Sequence, residues 1–167
     1  MKQVKFVCFL VLCALLLTTG CTRDDICDPA TAVTPLLIIT FKDNANITQA
    51  KSVTGLSIRK NDMDSTLVLR ITEPTDSIAI PLDTEMDNTE LLFILNDDDN
   101  EETTNGDVLN FTYQREETYV NRACGFKTTY TEFDTEVEED TANWITSFQV
   151  LQTTITDEIE AHLSIRF

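Results

Sequence analysis

Carboxylates, one histidine and a few cysteines are the side chains in this 167-residue sequence that could do chemistry. The densest group is Asn96 to Glu102, where Asp97, Asp98, Asp99, Glu101 and Glu102 crowd together. Hard cations collect carboxylate oxygens, so a calcium loop is the first reading to try. A loop of the helix-loop-helix type beginning at Asp97 needs glycine where Glu102 stands, and a helix on either side. Neither is present in the pattern, and a solvated hairpin tip ending at Asn105-Gly106 is the expectation. Glu132, Asp134, Glu136, Glu138, Glu139 and Asp140 form a second acidic stretch. Paired carboxylates hydrolyse glycosides only at a fixed separation across a cleft, which sequence spacing does not supply. Charges at a strand edge, where they discourage edge-to-edge pairing, are expected instead.

His162 falls beside Glu160 and Ser164 on what reads as the polar face of the last strand. Without a serine motif or an oxyanion loop it assembles no nucleophilic set, and an exposed strand histidine is expected. Glycine-rich phosphate loops, metal-spaced Cys/His clusters and dinucleotide fingerprints are missing from the sequence. The reading is therefore a non-enzymatic chain with no catalytic residue, no metal site and no cofactor. Charge narrows the partners further. Twelve Lys and Arg stand against 29 Asp and Glu, a net charge of −17, and so negative a surface repels nucleic-acid backbones and anionic headgroups alike.

The cysteines sort themselves by position. Lys2 and Lys5 precede an unbroken apolar run from Phe6 to Leu17, followed by Thr18, Thr19 and Gly20. This is the layout of a secretory signal, and the run is too short to span a bilayer. Gly20-Cys21 at its end resembles a bacterial lipobox, with Thr18 where Leu, Val or Ile is usual and Leu17 one place further out. Cys21 then becomes the lipidated first residue of the mature chain, and its acyl chains anchor the protein without any spanning segment. The following Thr22-Arg23-Asp24-Asp25 resembles the short acidic signal that sends Bacteroidota lipoproteins to the cell surface. Processing at Gly20 removes two lysines and no acid, which leaves 10 basic and 29 acidic residues, a net charge of −19.

Cys8 and Cys13 depart with the signal, so Cys27 and Cys124 remain. Two thiols in an oxidising compartment most often pair; two free thiols, or a nucleophilic Cys124, are the alternatives. Paired, they would clip the tether of residues 21–33 to the folded body.

The elements that must position these residues are strands. Between residues 34 and 167, short stretches rich in β-branched and aromatic residues are separated by Asn, Asp, Thr and Pro clusters. Alternation of period two marks Thr66 to Ile71, Ser77 to Leu82, Leu109 to Tyr113 and Ile159 to Phe167. Continuous apolar runs from Leu36 to Phe41 and Leu91 to Leu95 read as strands covered on both faces. Further strands are expected over Val53 to Arg59, Thr118 to Ala123, Phe126 to Phe133 and Ile145 to Ile155, with a helical turn only at Glu136 to Trp144. Eight to ten short strands imply one all-β antiparallel sandwich, immunoglobulin-like rather than a barrel. Only Gly55, Gly106 and Gly125 survive processing, so Asn, Asp and Pro must make the turns.

Several blocks together resemble one small lipoprotein family of Bacteroidota, chiefly flavobacterial, carried as a domain of unknown function. They are Asp25-Ile26-Cys27-Asp28-Pro29, Thr34-Pro35 leading into Leu36 to Asp43, Asp76 to Leu82, Tyr119 to Lys127, and Ala161-His162-Leu163. Arg122-Ala123-Cys124-Gly125-Phe126-Lys127 is the most specific of them. The resemblance implies an envelope location and paired Cys27 and Cys124, and it brings no activity or substrate. Asp64-Ser65-Thr66, Asp76-Ser77-Ile78 and Asp140-Thr141-Ala142 are similar to the O-glycosylation acceptor of such exported proteins.

Residues 1–20 are thus expected to be a lipoprotein signal, 21–33 a lipidated tether and 34–167 the sandwich. The expected role is an outer-membrane lipoprotein that binds a partner protein or serves as an accessory module. The alternatives are a carbohydrate- or cation-binding surface and a hydrolase acting on glycan or peptide. An exposed apolar or aromatic patch would favour the first, and a concave pocket with converging, perturbed titratable groups the last.

Overall fold

The computed structural model describes residues 26–28, 30–31, 33–97 and 104–167. The signal, Cys21 and the acidic residues from Asp98 to Glu102 lie outside them. Two compact units are formed. One contains Met1–Thr31 and Val120–Gly125, the other Ala32–Tyr119 and Phe126–Phe167.

Nine strands occur in chain order, and no residue among those described is helical. They are β1 (Leu37–Lys42), β2 (Leu56–Lys60), β3 (Leu67–Ile71), β4 (Ser77–Ile80), β5 (Asn88–Leu95), β6 (Asn105–Asn121), β7 (Gly125–Val137), β8 (Ser147–Val150) and β9 (Leu163–Arg166). Four of them form a sheet in the order β4-β1-β9-β8, and five a second sheet in the order β3-β2-β5-β6-β7. The all-β sandwich expected from the alternation is what the chain adopts. Antiparallel pairing joins β1 to β4, β2 to β3 and β5, β5 to β6, and β8 to β9, whereas β1 and β9 run parallel.

Side-chain alternation explains the core. On β1, Leu37, Ile39 and Phe41 are fully buried while Ile38, Thr40 and Lys42 are only half-buried. On β6, Asp107, Leu109, Phe111 and Tyr113 point inward in turn. Phe111 stacks on Phe133 at 6.0 Å and meets the edge of Phe93 at 6.3 Å. These rings join Leu37, Ile39, Phe41, Leu163 and Ile165 of the other sheet in one continuous cluster.

The structure redraws several expected elements. Leu109 to Tyr113 and the stretch from Thr118 merge into the 17-residue β6, because the polar residues between them continue the strand, which ends at Asn121 short of the expected Ala123. The run from Ile145 to Ile155 instead changes sheets. It pairs with β9 as far as Val150, after which Ile155 bridges to Tyr130 and the Phe133 N–H bonds Thr153 at 2.9 Å. The chain makes the same kind of crossing between β3 and β4, where Thr75 bridges to Val53. Glu132, with φ +52°, shifts the alternation on β7 so that Tyr130 and Phe133, three apart, both face inward.

No helical turn forms at Glu136 to Trp144. Asp107 organises that segment, its buried carboxylate accepting the N–H groups of Trp144 at 3.3 Å and Ile145 at 2.8 Å. Trp144 is thereby set against Phe167 at 5.4 Å, its indole N–H donating to the Phe93 carbonyl at 3.1 Å. Burial raises the Asp107 pKa, and those N–H groups oppose the rise.

Turn chemistry follows the scarcity of glycine. Asp43, Asp62, Asp83 and Asn121 each use Oδ1 to accept two backbone N–H groups from the residues just after them. After Asn121, Gly125 takes φ +71°, a conformation that side chains disfavour.

Phe111 lies at the centre of the ring cluster, so Phe111→Ala should cost about 3–5 kcal/mol. Urea denaturation should show a lower midpoint at unchanged m. A loss below about 1 kcal/mol would contradict the packing described, since most of the cost of such a truncation comes from the transfer and cavity terms.

Candidate functional site

Cys27 and Cys124 are bonded, with Cα atoms 4.8 Å apart, and both belong to the smaller unit. The expected pairing is therefore formed and Cys124 is not a free nucleophile. Cys21 lies outside the described residues.

His162 corrects the sequence reading. It is 1% exposed, not presented on a polar face. The β9 strand begins only at Leu163 and buries Leu163, Ser164 and Ile165 in succession. Imidazole Nδ1 accepts the Ile38 N–H at 3.0 Å, and the His162 N–H donates to the Ile38 carbonyl at 2.9 Å. Desolvation lowers its pKa, opposed by a hydrogen bond to the Asp157 backbone and by the charges of Asp157 and Glu158. The neutral ring is required, because protonating Nδ1 would remove the acceptor that Ile38 uses. His162 is a structural pin between β1 and β9.

The acidic stretch at 96–102 divides. It connects the antiparallel pair β5 and β6, as a hairpin connection should. Asp97, however, accepts from Arg70 at 2.7 Å and Arg59 at 3.5 Å. Its pKa is lowered chiefly by the Ser57 hydroxyl, and also by the two guanidinium groups. This carboxylate is committed to cations of the chain itself, not to solvent. Among the described residues, no three His, Cys, Asp or Glu side chains are placed to hold a metal ion. Along β7, Glu132, Asp134 and Glu136 are exposed, as expected of edge charges, and Glu132 accepts from Gln114 at 2.5 Å. Of the hydroxyls in the glycosylation-like tripeptides, Ser77 and Thr141 are exposed and Ser65 is half-buried.

One enclosed polar arrangement is not apparent in the sequence. A concavity of about 330 Å³ is lined by Lys60, Pro81, Leu82, Asp83, Thr89 and neighbouring residues. The Tyr113 hydroxyl donates to the Asp83 carbonyl at 2.9 Å and lies 2.6 Å from the Thr89 hydroxyl, which accepts the Asp83 N–H at 2.8 Å. Arg115 ties the same loop down through Asp87 and the Thr84 carbonyl, at 2.7 Å each. Burial raises the Tyr113 pKa and pushes Tyr130, edge-on to it at 4.9 Å, up to about 12. Both hydroxyls donate to backbone carbonyls, Tyr113 to Asp83 and Tyr130 to Leu82, and so fasten this loop to β6 and β7. The spacing of Asp83, Thr89 and Tyr113 along the chain carries no sign of this meeting.

Tyr119 and Phe126 were missed too, having been read only as strand residues. They are 57% and 65% exposed, and their rings meet edge to face at 5.3 Å. β5 pairs with β6 only as far as Thr112, so residues beyond it, including Tyr119, continue as a ribbon with no β5 partner. The signal was available: the two aromatics flank the Arg122 to Gly125 block.

A family model described as a family of unknown function, DUF6452, matches residues 51–167. No curated protein and no solved structure matches the chain.

Two expectations follow. His162 binds a proton more readily unfolded than folded, so its contribution to stability is complete above the unfolded pKa near 6.5 and is lost as pH falls through it towards the lowered folded value. His162→Gln, with an amide oxygen in place of Nδ1, should flatten the fall in stability between about pH 7 and 5. Parallel slopes in the two proteins would refute the buried neutral ring. Asp97→Asn should destabilise by about 0.5–1 kcal/mol, because two arginines lose a charged partner. A fall in the thermal midpoint checks it, and an unchanged midpoint would return Asp97 to the solvent.

Proposed function

The chain belongs to the DUF6452 family of unknown function, and on that premise we propose that it is an exported, lipid-anchored β-sandwich that binds a partner protein and performs no catalysis. The Cys27–Cys124 bond carries this reading. Such a bridge persists outside the reducing cytosol, in keeping with the signal-like first twenty residues and the Gly20-Cys21 junction. It also shortens the tether. A chain free from Cys21 to Val33 gives way to one of six residues before the first covalent tie to the sandwich-forming sequence, a reach of at most ~21 Å. Fixed distance from a bilayer is useful to an accessory subunit in a membrane assembly and of little use to an enzyme meeting diffusing substrates.

A partner has a surface to use. Where β3 and β4 part to join opposite sheets, a groove of about 430 Å³ runs past Leu69, Ile71, Pro74 and Ile78. Both strands are sheet edges, and an edge beside an apolar floor suits an added strand from another protein. The locked loop behind Tyr113 and the neutral His162 support the non-catalytic half of the proposal, since both sets of polar groups are consumed by the fold.

Cys21→Ser should leave the protein unmodified by mass and free of the membrane fraction, while the wild type stays with outer membrane through a high-salt wash. Continued sedimentation of the variant would overturn the anchor. A photo-crosslinking residue at exposed Thr72 should join the wild type to one discrete envelope protein in cells, and no adduct there would overturn the partner groove.

A further inference from the structure

We infer that Tyr119 and Phe126 form a foot that rests in the headgroup region of the bilayer to which the chain is anchored. The inference builds on the lipidation of Cys21 proposed above and adds a second, non-covalent contact with the same membrane. Covalent connectivity brings the pair within reach. Cys21 is at most ~21 Å of chain from Cys27, and Phe126 at most ~7 Å of chain from Cys124; between them the disulfide places the cysteine Cα atoms 4.8 Å apart. Cys21 and Phe126 are therefore at most ~33 Å apart by this route, close enough for the rings to reach the bilayer surface.

Their chemistry suits that depth. Aromatic rings with a polar handle concentrate where hydrocarbon meets headgroups, and the phenol of Tyr119 satisfies its hydroxyl in that wet layer. Both rings are exposed in a chain that buries its other eight described Phe and Tyr rings wholly or in part. Charge agrees. From Tyr119 to Lys127 the sequence contains Arg122 and Lys127 and no acid, in a mature chain whose net charge is −19. Glu116 and Glu117 come earlier on β6, and Asp24, Asp25 and Asp28 on the tether, so the attraction to anionic lipid is local and modest. It does not need to be strong. An anchor already holds the foot at high effective concentration, so a contact too weak to recruit a free protein still fixes orientation.

The test uses the full lipidated protein in vesicles with brominated acyl chains, made of phosphatidylcholine alone or with phosphatidylglycerol. Phe126→Trp places an indole at the foot. The wild type supplies the baseline, because its one tryptophan, Trp144, is 9% exposed in the core. Bromine should quench the variant at least ~2-fold more than the wild type, with a blue-shifted emission, as for a ring ~5–10 Å into the interface. Phosphatidylglycerol should strengthen the effect. Flotation of the vesicles separates the two ideas. Protein that floats with no added quenching overturns the foot alone and leaves the rings to a protein partner. Protein that does not float overturns the anchor, and the foot with it. Tyr119→Ser combined with Phe126→Trp should lose part of the added quenching at an unchanged melting temperature, and retention of all of it would remove Tyr119 from the contact.

Discussion

The pairing of the first strand with the last holds the sandwich together. β1 and β9 are the two inner strands of the four-stranded sheet, Ile39 lying opposite Leu163 across 124 residues of sequence. Until β9 is in place, β1 has only β4 beside it and β8 has no partner in its sheet. The five-stranded sheet is less demanding, because β5, β6 and β7 are neighbours in both chain and space. Contacts of such different range imply that the second sheet can be organised before the first, with the long closure setting the pace. His162 sits at this closure, exchanging two hydrogen bonds with Ile38 just before β9 begins. Buried there, the ring is spent on the backbone of the chain itself.

Strand alternation was legible because each sheet has one dry face. Leu109, Phe111 and Tyr113 face inward as their spacing required, and so do Ile78 and Ile80. What was illegible is what depends on the third dimension. No local pattern marks the point at which a strand leaves one sheet for the other, so Ile145 to Ile155 read as one element when it is two half-strands in different layers. The last strand misled for the opposite reason. Its period-two pattern is genuine, but both faces are dry at this point, with Ser164 6% and His162 1% exposed beside the fully buried Ile165. Ile159, assigned to the inner face by the same pattern, is 85% exposed because the strand has not yet begun. For the candidate site, the cysteine pair was readable from counting alone, whereas the Tyr113 lock joins three positions with no relation in sequence.

The acidity of the chain looks different once each carboxylate has a place. Asp43, Asp62 and Asp83 bend the chain where glycine would otherwise be needed, holding two N–H groups each. Asp107 caps the segment that carries Trp144, and Asp97 gathers two arginines from β2 and β3. Ion binding explains none of these roles. With three glycines from residue 21 onward, the chain recruits side-chain oxygens for its turns, and Asp does so at the cost of self-repulsion.

The position of the disulfide adds a last constraint. A bridge inside the sandwich would have had to replace packed apolar side chains, and the ring cluster around Phe111 leaves no need for one. Cys27 and Cys124 instead lie in the smaller unit, 97 residues apart in sequence. Closing so long a loop restricts the unfolded chain by up to ~4.7 kcal/mol in the chain-entropy model, wherever in the fold the bond sits. A peripheral bond therefore stabilises the whole chain while leaving the core undisturbed, and it does a second thing that a core bond could not. It makes the separation between Cys21 and the β6–β7 tip independent of whether the tether is extended or coiled beyond Cys27. With the anchor proposed at Cys21, that bond would shorten the leash to the six residues that precede the first covalent tie at Cys27.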